Sequence, residues 1–272
     1  MAPPQPTPRR RVLGYALAVL PAAALTGPGP ASAASRTPVS TSRTPMSRTT
    51  ASARAGAPVP EIDVLWSTDF SDGWSGWLDT PWNDQPQGEV PRPVVVDAPT
   101  GQGRAGRFHL EGGQQRNESQ PDAAQSIGEG DTLIVRFTDH LEDGFPVDTD
   151  AWQVVMQFKN EGEGSPPCEI KIGNGVYALD GDSGGWHVDI GPAETGRPID
   201  ITVRITFSAD PATAVIDAWY GEEQTVTAYH PEGAGTLYDG LTSYLKTGLY
   251  RDPSIGEAGT RLLSSLVIGT PA

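Results

Sequence analysis

The chain has 272 residues, 37% of them hydrophobic, with 19 lysines and arginines against 34 acids and a formal net charge of −15. The first 57 residues hold seven of those basic side chains and no acid, so the remainder carries 12 against 34, a net of −22, and such a field excludes nucleic acid and anionic membrane as partners. The single cysteine, Cys168, excludes an internal disulfide, so the fold must stand on its core.

The chain opens with Arg9, Arg10 and Arg11, an apolar run from Val12 to Leu25, and small residues around Ala31-Ser32-Ala33. This order predicts a secretory signal over residues 1–33 and a secreted protein. Paired arginines before Val12 and Leu13 suit twin-arginine export as well as the general secretory route. A membrane anchor is the competing reading, but the run is shorter than the ~20 residues needed to span and Pro21 interrupts it. Residues 34–60 repeat Ser-Arg-Thr at Ser35, Ser42 and Ser47 among Pro38, Pro45, Pro58 and Pro60, which predicts a disordered linker.

From residue 61 to 272, short alternating or β-branched runs recur between Gly, Pro, Asp and Asn clusters. In chain order they are RPVVVD, GRFHLE, TLIVRFT, WQVVMQFK, CEIKIG, IDITVRITF, TAVIDAWY, SYLKTGLY and LLSSLVIG. No long segment has a helical period. Many strands at turn-punctuated spacing predict one all-β domain, a two-sheet antiparallel β-sandwich of the jelly-roll, concanavalin-like kind, and a monomer. Three of the seven tryptophans fall in DGWSGWLDTPW; they suit a sugar site, but for Trp74 and Trp77 closure of one end of the sandwich is the favoured reading.

Strand alternation turns three segments into half-surfaces. Trp152, Val154, Met156 and Phe158 share an apolar face, which sends Gln157 and Lys159 the other way. Tyr244, Lys246, Gly248 and Tyr250 share a face opposite Leu245, Thr247 and Leu249, and Arg116 lies beside Glu118. The only lysines, Lys159, Lys171 and Lys246, all fall within predicted strands. For Lys171, next to Glu169, simple ion pairing explains as much as function does. For Lys159 and Lys246 a shared, locally positive concave face is the better account.

These three segments resemble the strand motifs of jelly-roll polysaccharide lyases of the alginate lyase, heparin lyase I and glucuronan lyase kind. That group carries Arg-x-Glu, Gln-x-His and Tyr-x-Lys-x-Gly-x-Tyr on three strands. The corresponding stretches here are Arg116-Asn117-Glu118, Gln157-Phe158-Lys159 and Tyr244-Leu245-Lys246-Thr247-Gly248-Leu249-Tyr250. The resemblance implies β-elimination on a uronic-acid polymer, an acidic polysaccharide partner and no catalytic cofactor. It assigns Gln157 and Arg116 to the C5 carboxylate, because donors there stabilise the developing enolate. Tyr250 takes the acid and base role, since a cation beside a phenol favours the phenolate. Lys159, in the histidine position, completes the catalytic set; Lys246, Glu118, Tyr244 and Arg251 are the substrate-binding candidates. Lysine is a poor proton shuttle at neutral pH unless desolvated, which leaves Tyr250 acting alone as the surviving mechanism.

His109, His140, His187 and His230 show no metal-ligand spacing. The run Asp180-Gly181-Asp182-Ser183-Gly184 offers oxygens to a structural calcium but reads first as a turn. Asn117-Glu118-Ser119 fits a glycosylation site only formally. The alternatives are a non-catalytic carbohydrate-binding relative, a glycoside hydrolase, which needs two carboxylates across the scissile bond, and a structural surface protein.

Overall fold

The computed structural model describes residues 56–78, 90–162, 164–181, 185–233 and 235–272; the expected signal and all but the last five residues of the expected linker lie outside them. Fourteen strands are present among the described residues: β1 (Ile62–Thr68), β2 (Val94–Asp97), β3 (Arg104–Leu110), β4 (Arg116–Ser119), β5 (Thr132–Leu141), β6 (Gln153–Asn160), β7 (Cys168–Gly173), β8 (Val176–Gly181), β9 (Trp186–Pro192), β10 (Pro198–Thr206), β11 (Val215–Tyr220), β12 (Glu223–Tyr229), β13 (Ser243–Arg251) and β14 (Gly259–Pro271). All pairings between these strands are antiparallel.

They form an eight-stranded sheet in the order β12-β11-β10-β5-β14-β3-β2, with β1 also on β14, and a six-stranded sheet in the order β4-β13-β6-β7-β8-β9. This is the expected two-sheet jelly roll. Alternation explains the core: in β10 Ile199, Ile201, Val203 and Ile205 are buried, while in β5 Leu133, Val135 and Phe137 face inward. Each such side chain contributes about 1.5–3 kcal/mol relative to exposure. From the facing sheet come Phe158, Ile170, Leu245 and Leu249.

Trp77 meets Trp66 and Trp74 edge-to-face and stacks on Phe70, which Trp74 meets edge-on, all at one margin of that core, so Trp74 and Trp77 are structural. The last residues of the expected linker are tied down. Ala57 N–H donates to Gln224 Oε1, Trp219 Nε1 donates to Ala57 O, and Arg136 Nη2 donates to Pro60 O. Residues 57–60 therefore pack with the folded domain. Cys168 is fully buried at the start of β7, and burial raises its thiol pKa well above the ordinary value.

Candidate active site

One face of the six-stranded sheet carries the site, and register brings its residues together. Arg116 pairs with Tyr250, and Glu118 with Gly248. Lys246 pairs with Gln157, and Tyr244 with Lys159. Gln157 is in turn opposite Glu169, Glu169 opposite Asp180, and Asp180 opposite His187. Directly opposed residues share a face, so Lys246, Gln157, Glu169, Asp180 and His187 form one continuous row across the sheet, flanked by the other pairs.

Above that row is a cavity of about 560 Å³ lined by Arg116, Gln157, Lys159, Tyr244, Lys246 and Tyr250, together with Trp152, Val154, Glu169, Lys171 and the stretch from Gly164 to Pro166. The expected local positive charge is present. Among the described residues four cations line the cavity against one acid, Glu169, in a domain whose overall charge is strongly negative.

Two irregularities shape it. Opposite β7, β6 gains one residue between Val154 and Met156. Val155 and Met156 both enter the core, and Trp152 and Val154 turn to the cavity. The expected apolar face therefore stops at this bulge, because an extra residue flips the alternation on one side of it. The second irregularity lies in β13 between Thr247 and Tyr250. Gly248 there has φ +146°, and a Cβ would lie 2.3 Å from the Asn117 carbonyl oxygen and 2.6 Å from Glu118 Cα. Only glycine lets β4 approach this closely.

Glu118 is buried and organises the cations rather than facing solvent. It accepts from Gln157 Nε2 at 2.5 Å, and its other oxygen lies 3.4 Å from Arg116 Nε and 3.7 Å from Lys246 Nζ. The Arg116 guanidinium stacks 3.9 Å above the Tyr250 ring, and Trp152 meets that ring edge-on at 4.7 Å. Burial lowers the Lys246 pKa; Glu118 opposes the shift and Arg116 adds to it. Burial likewise raises the Tyr244 pKa, with Glu118 adding to it.

Two expected site residues behave differently. Lys159 lines the cavity, yet its ammonium donates to Asn160 O at 3.0 Å, Asn160 Oδ1 at 2.8 Å and Gly162 O at 3.1 Å, so it clasps the loop after its own strand. Its pKa is lowered by burial and then by the charges of Lys246 and Arg116. Arg251 does not join the cavity. It is fully buried on the other face of β13, donating to the carbonyls of Leu110, Glu111 and Glu257, so it is a structural clamp. Alternation from Tyr250 already implied that placement.

On the far wall the ion pairing considered for Lys171 and Glu169 is present, and sequence reasoning missed only that Asp180 and His187 join it. Lys171 lies 2.8 Å from Glu169 and 3.0 Å from Asp180, and His187 contacts Asp180 at 3.3 Å and Asp189 at 2.9 Å. Burial pushes the Glu169 pKa up to about 7 against the opposing charge of Lys171, with Asp180 and Glu118 adding to the rise. For Lys171 the pull of burial is outweighed by Glu169 and Asp180, and its pKa is raised.

Beneath the site, Arg261 of β14 reaches through the core. Its Nε donates to Asp139 Oδ1 at 2.6 Å, and its Nη1 to Val155 O, Thr247 Oγ1 and Gly248 O at 2.8, 2.8 and 3.0 Å. It thereby ties the bulge of β6 and the irregular turn of β13 to the opposite sheet.

His109 is on the other sheet, bonded to Thr260 and Glu111. Asn117 is buried and donates to the carbonyls of Pro91 and His109, which removes it as a glycosylation acceptor. Residues 182–184 of the calcium candidate lie outside the described residues, and Asp180 is engaged by Lys171 and His187. No cluster of three or more potential metal ligands occurs among the described residues.

A family model described as polysaccharide lyase matches residues 72–263. No curated protein matches the chain. Among solved structures, cellulose induced protein Cip1 is similar at 11% identity, covering 75% of this chain and 97% of that one, with a TM-score of 0.52. Alginate lyase A1-II', of polysaccharide lyase family 7, aligns at 15% identity over 65% of this chain and 83% of that one, with a TM-score of 0.49. The alginate lyase from Corynebacterium sp. aligns at 12% identity over 66% and 82%, with a TM-score of 0.45. At these identities the likeness is one of fold.

Proposed function

The chain belongs to the polysaccharide lyase family, and on that premise we propose that it cleaves a uronic-acid-containing polymer outside the cell by β-elimination. The observation that carries this reading is the convergence of Arg116, Gln157, Lys246 and Tyr250 on one cavity from three strands.

The C5 proton of a uronate is too weakly acidic to leave unless the adjacent carboxylate is neutralised. Arg116 and the Gln157 amide, already aligned by Glu118, are positioned to do this. Tyr250 then takes the C5 proton, the C4–O4 bond breaks as the C4–C5 double bond forms, and the same hydroxyl returns a proton to O4. This one-residue route acts on a sugar whose C5 proton and leaving oxygen lie on the same side. It is favoured because the Lys159 ammonium is occupied by the Asn160–Gly162 loop. Lys246 and Tyr244 hold neighbouring sugars, while Glu118 acts through the groups that it orients.

The test is to incubate the domain with glucuronan, alginate and glycosaminoglycans and follow the ultraviolet absorbance of the new double bond. Tyr250→Phe keeps the ring between Arg116 and Trp152, so polymer binding persists while turnover falls ~10² or more. Near wild-type turnover in that variant would refute the assignment. Binding with no turnover by the wild type would favour a carbohydrate-binding role.

A further inference from the structure

Among the described residues that line the cavity, Glu169 is the only acid, and it faces Gln157 from the adjacent strand. Strands lie about 4.8 Å apart, so a uronate carboxylate seated on Gln157 arrives within ~5 Å of the Glu169 carboxyl. Two carboxylates that close in a half-enclosed site do not both stay ionised. Resting on the uronate lyase reading above, we infer that Glu169 works as a carboxylic acid, its hydroxyl donating a hydrogen bond to the carboxylate of the bound uronate beside Gln157. Above neutral pH the substrate is then taken up together with one proton from solvent. No covalent bond to the protein is made.

The surroundings of Glu169 fit this role. On its own strand Lys171 touches it at 2.8 Å but is shared with Asp180 at 3.0 Å, and Asp180 is also held by His187 of β9. From β4 come Glu118 and Arg116, from β13 Lys246 and Tyr250, and from β6 Lys159 beyond Gln157. The cations on this list favour the ionised form in the empty site, whereas Asp180, Glu118 and the incoming substrate favour the neutral one. In the empty site the balance falls at about 7, with burial as the largest cause, so an added negative charge moves it further toward the acid. A neutral carboxyl there adds a donor to the substrate carboxylate where an ionised one would repel it.

Two measurements test this on the polymer that the wild type cleaves. The first is kcat/KM at pH 6 and pH 8.5. The wild type is expected to lose about 30-fold between the two, the fall in the protonated fraction of a group titrating near 7, and Glu169→Gln to lose less than about threefold. An equal fall in both proteins overturns the inference. The second needs no change at Glu169: polymer binding to the Tyr250→Phe protein at pH 8.5, measured by calorimetry in buffers of different ionisation heat. Uptake approaching one proton per site supports the inference, and no uptake overturns it while leaving the lyase reading intact. If the wild type neither cleaves nor binds any uronate polymer, the lyase reading fails and this inference with it.

Discussion

Replacing Arg261 with methionine removes the guanidinium that ties the two sheets together under the cavity. Arg261 and Asp139 are both fully buried, and the variant leaves Asp139 with only the Tyr177 hydroxyl, at 2.9 Å, as a partner. Removing one member of a buried ion pair costs about 3–5 kcal/mol, because the other charge stays in the core uncompensated. The Val155 and Gly248 carbonyls also lose a charged donor, which keeps the cost near the upper end of that range. In a domain of this size about 1 kcal/mol moves the melting temperature by 2–4 °C, so a cost of about 5 kcal/mol should make the variant melt roughly 10–20 °C below wild type by calorimetry at pH 7. The triple variant Arg261→Met, Asp139→Leu, Tyr177→Phe exchanges the whole cluster for apolar groups and should recover most of that loss. A loss under about 1 kcal/mol in the single variant, or a triple variant no more stable than the single, would refute the argument that the stranded charge is the source of the cost.

Gly248→Ala forces a Cβ to within 2.3 Å of the Asn117 carbonyl at a positive φ, so β4 must move and carry Arg116 and Glu118 with it. A stability loss of about 1–3 kcal/mol in urea titration, with turnover lowered at least ~10-fold, is expected; an unchanged urea midpoint would contradict the close approach. Lys159→Ala releases the Asn160–Gly162 loop without touching reacting atoms, so KM should rise about 3–10-fold with kcat changed less. Lys159→His should behave in the same way, and steady-state kinetics showing kcat down ~10² at constant KM would make Lys159 catalytic instead.

The legible parts of this chain are those that follow from local periodicity. Nine runs mark strands, and alternation in β13 puts Tyr244, Lys246 and Tyr250 on one face because that strand keeps its own alternation through Gly248, in unbroken register with β4 from Thr247 to Tyr250. β6 was read only in part: its bulge is invisible in WQVVMQFK, where every residue suits a strand, so Trp152 and Val154 were assigned to the wrong face. The acid wall of Glu169, Asp180 and His187 depends on which strands become neighbours, and pairing order is not written in any one strand. Arg261 and Asp139 are 122 residues apart, each just outside a run that reads as a plain core strand. Arg251 is legible too, since alternation sends it to the face opposite Tyr250.

The sealed thiol of Cys168 bears on how the protein matures. With no second cysteine to pair with, and with its sulfur buried and held in the unreactive protonated form, the domain has no oxidative step in its folding. Its native state is therefore the same in reductant and in air. Neither a reducing nor an oxidising compartment supplies anything that the fold requires.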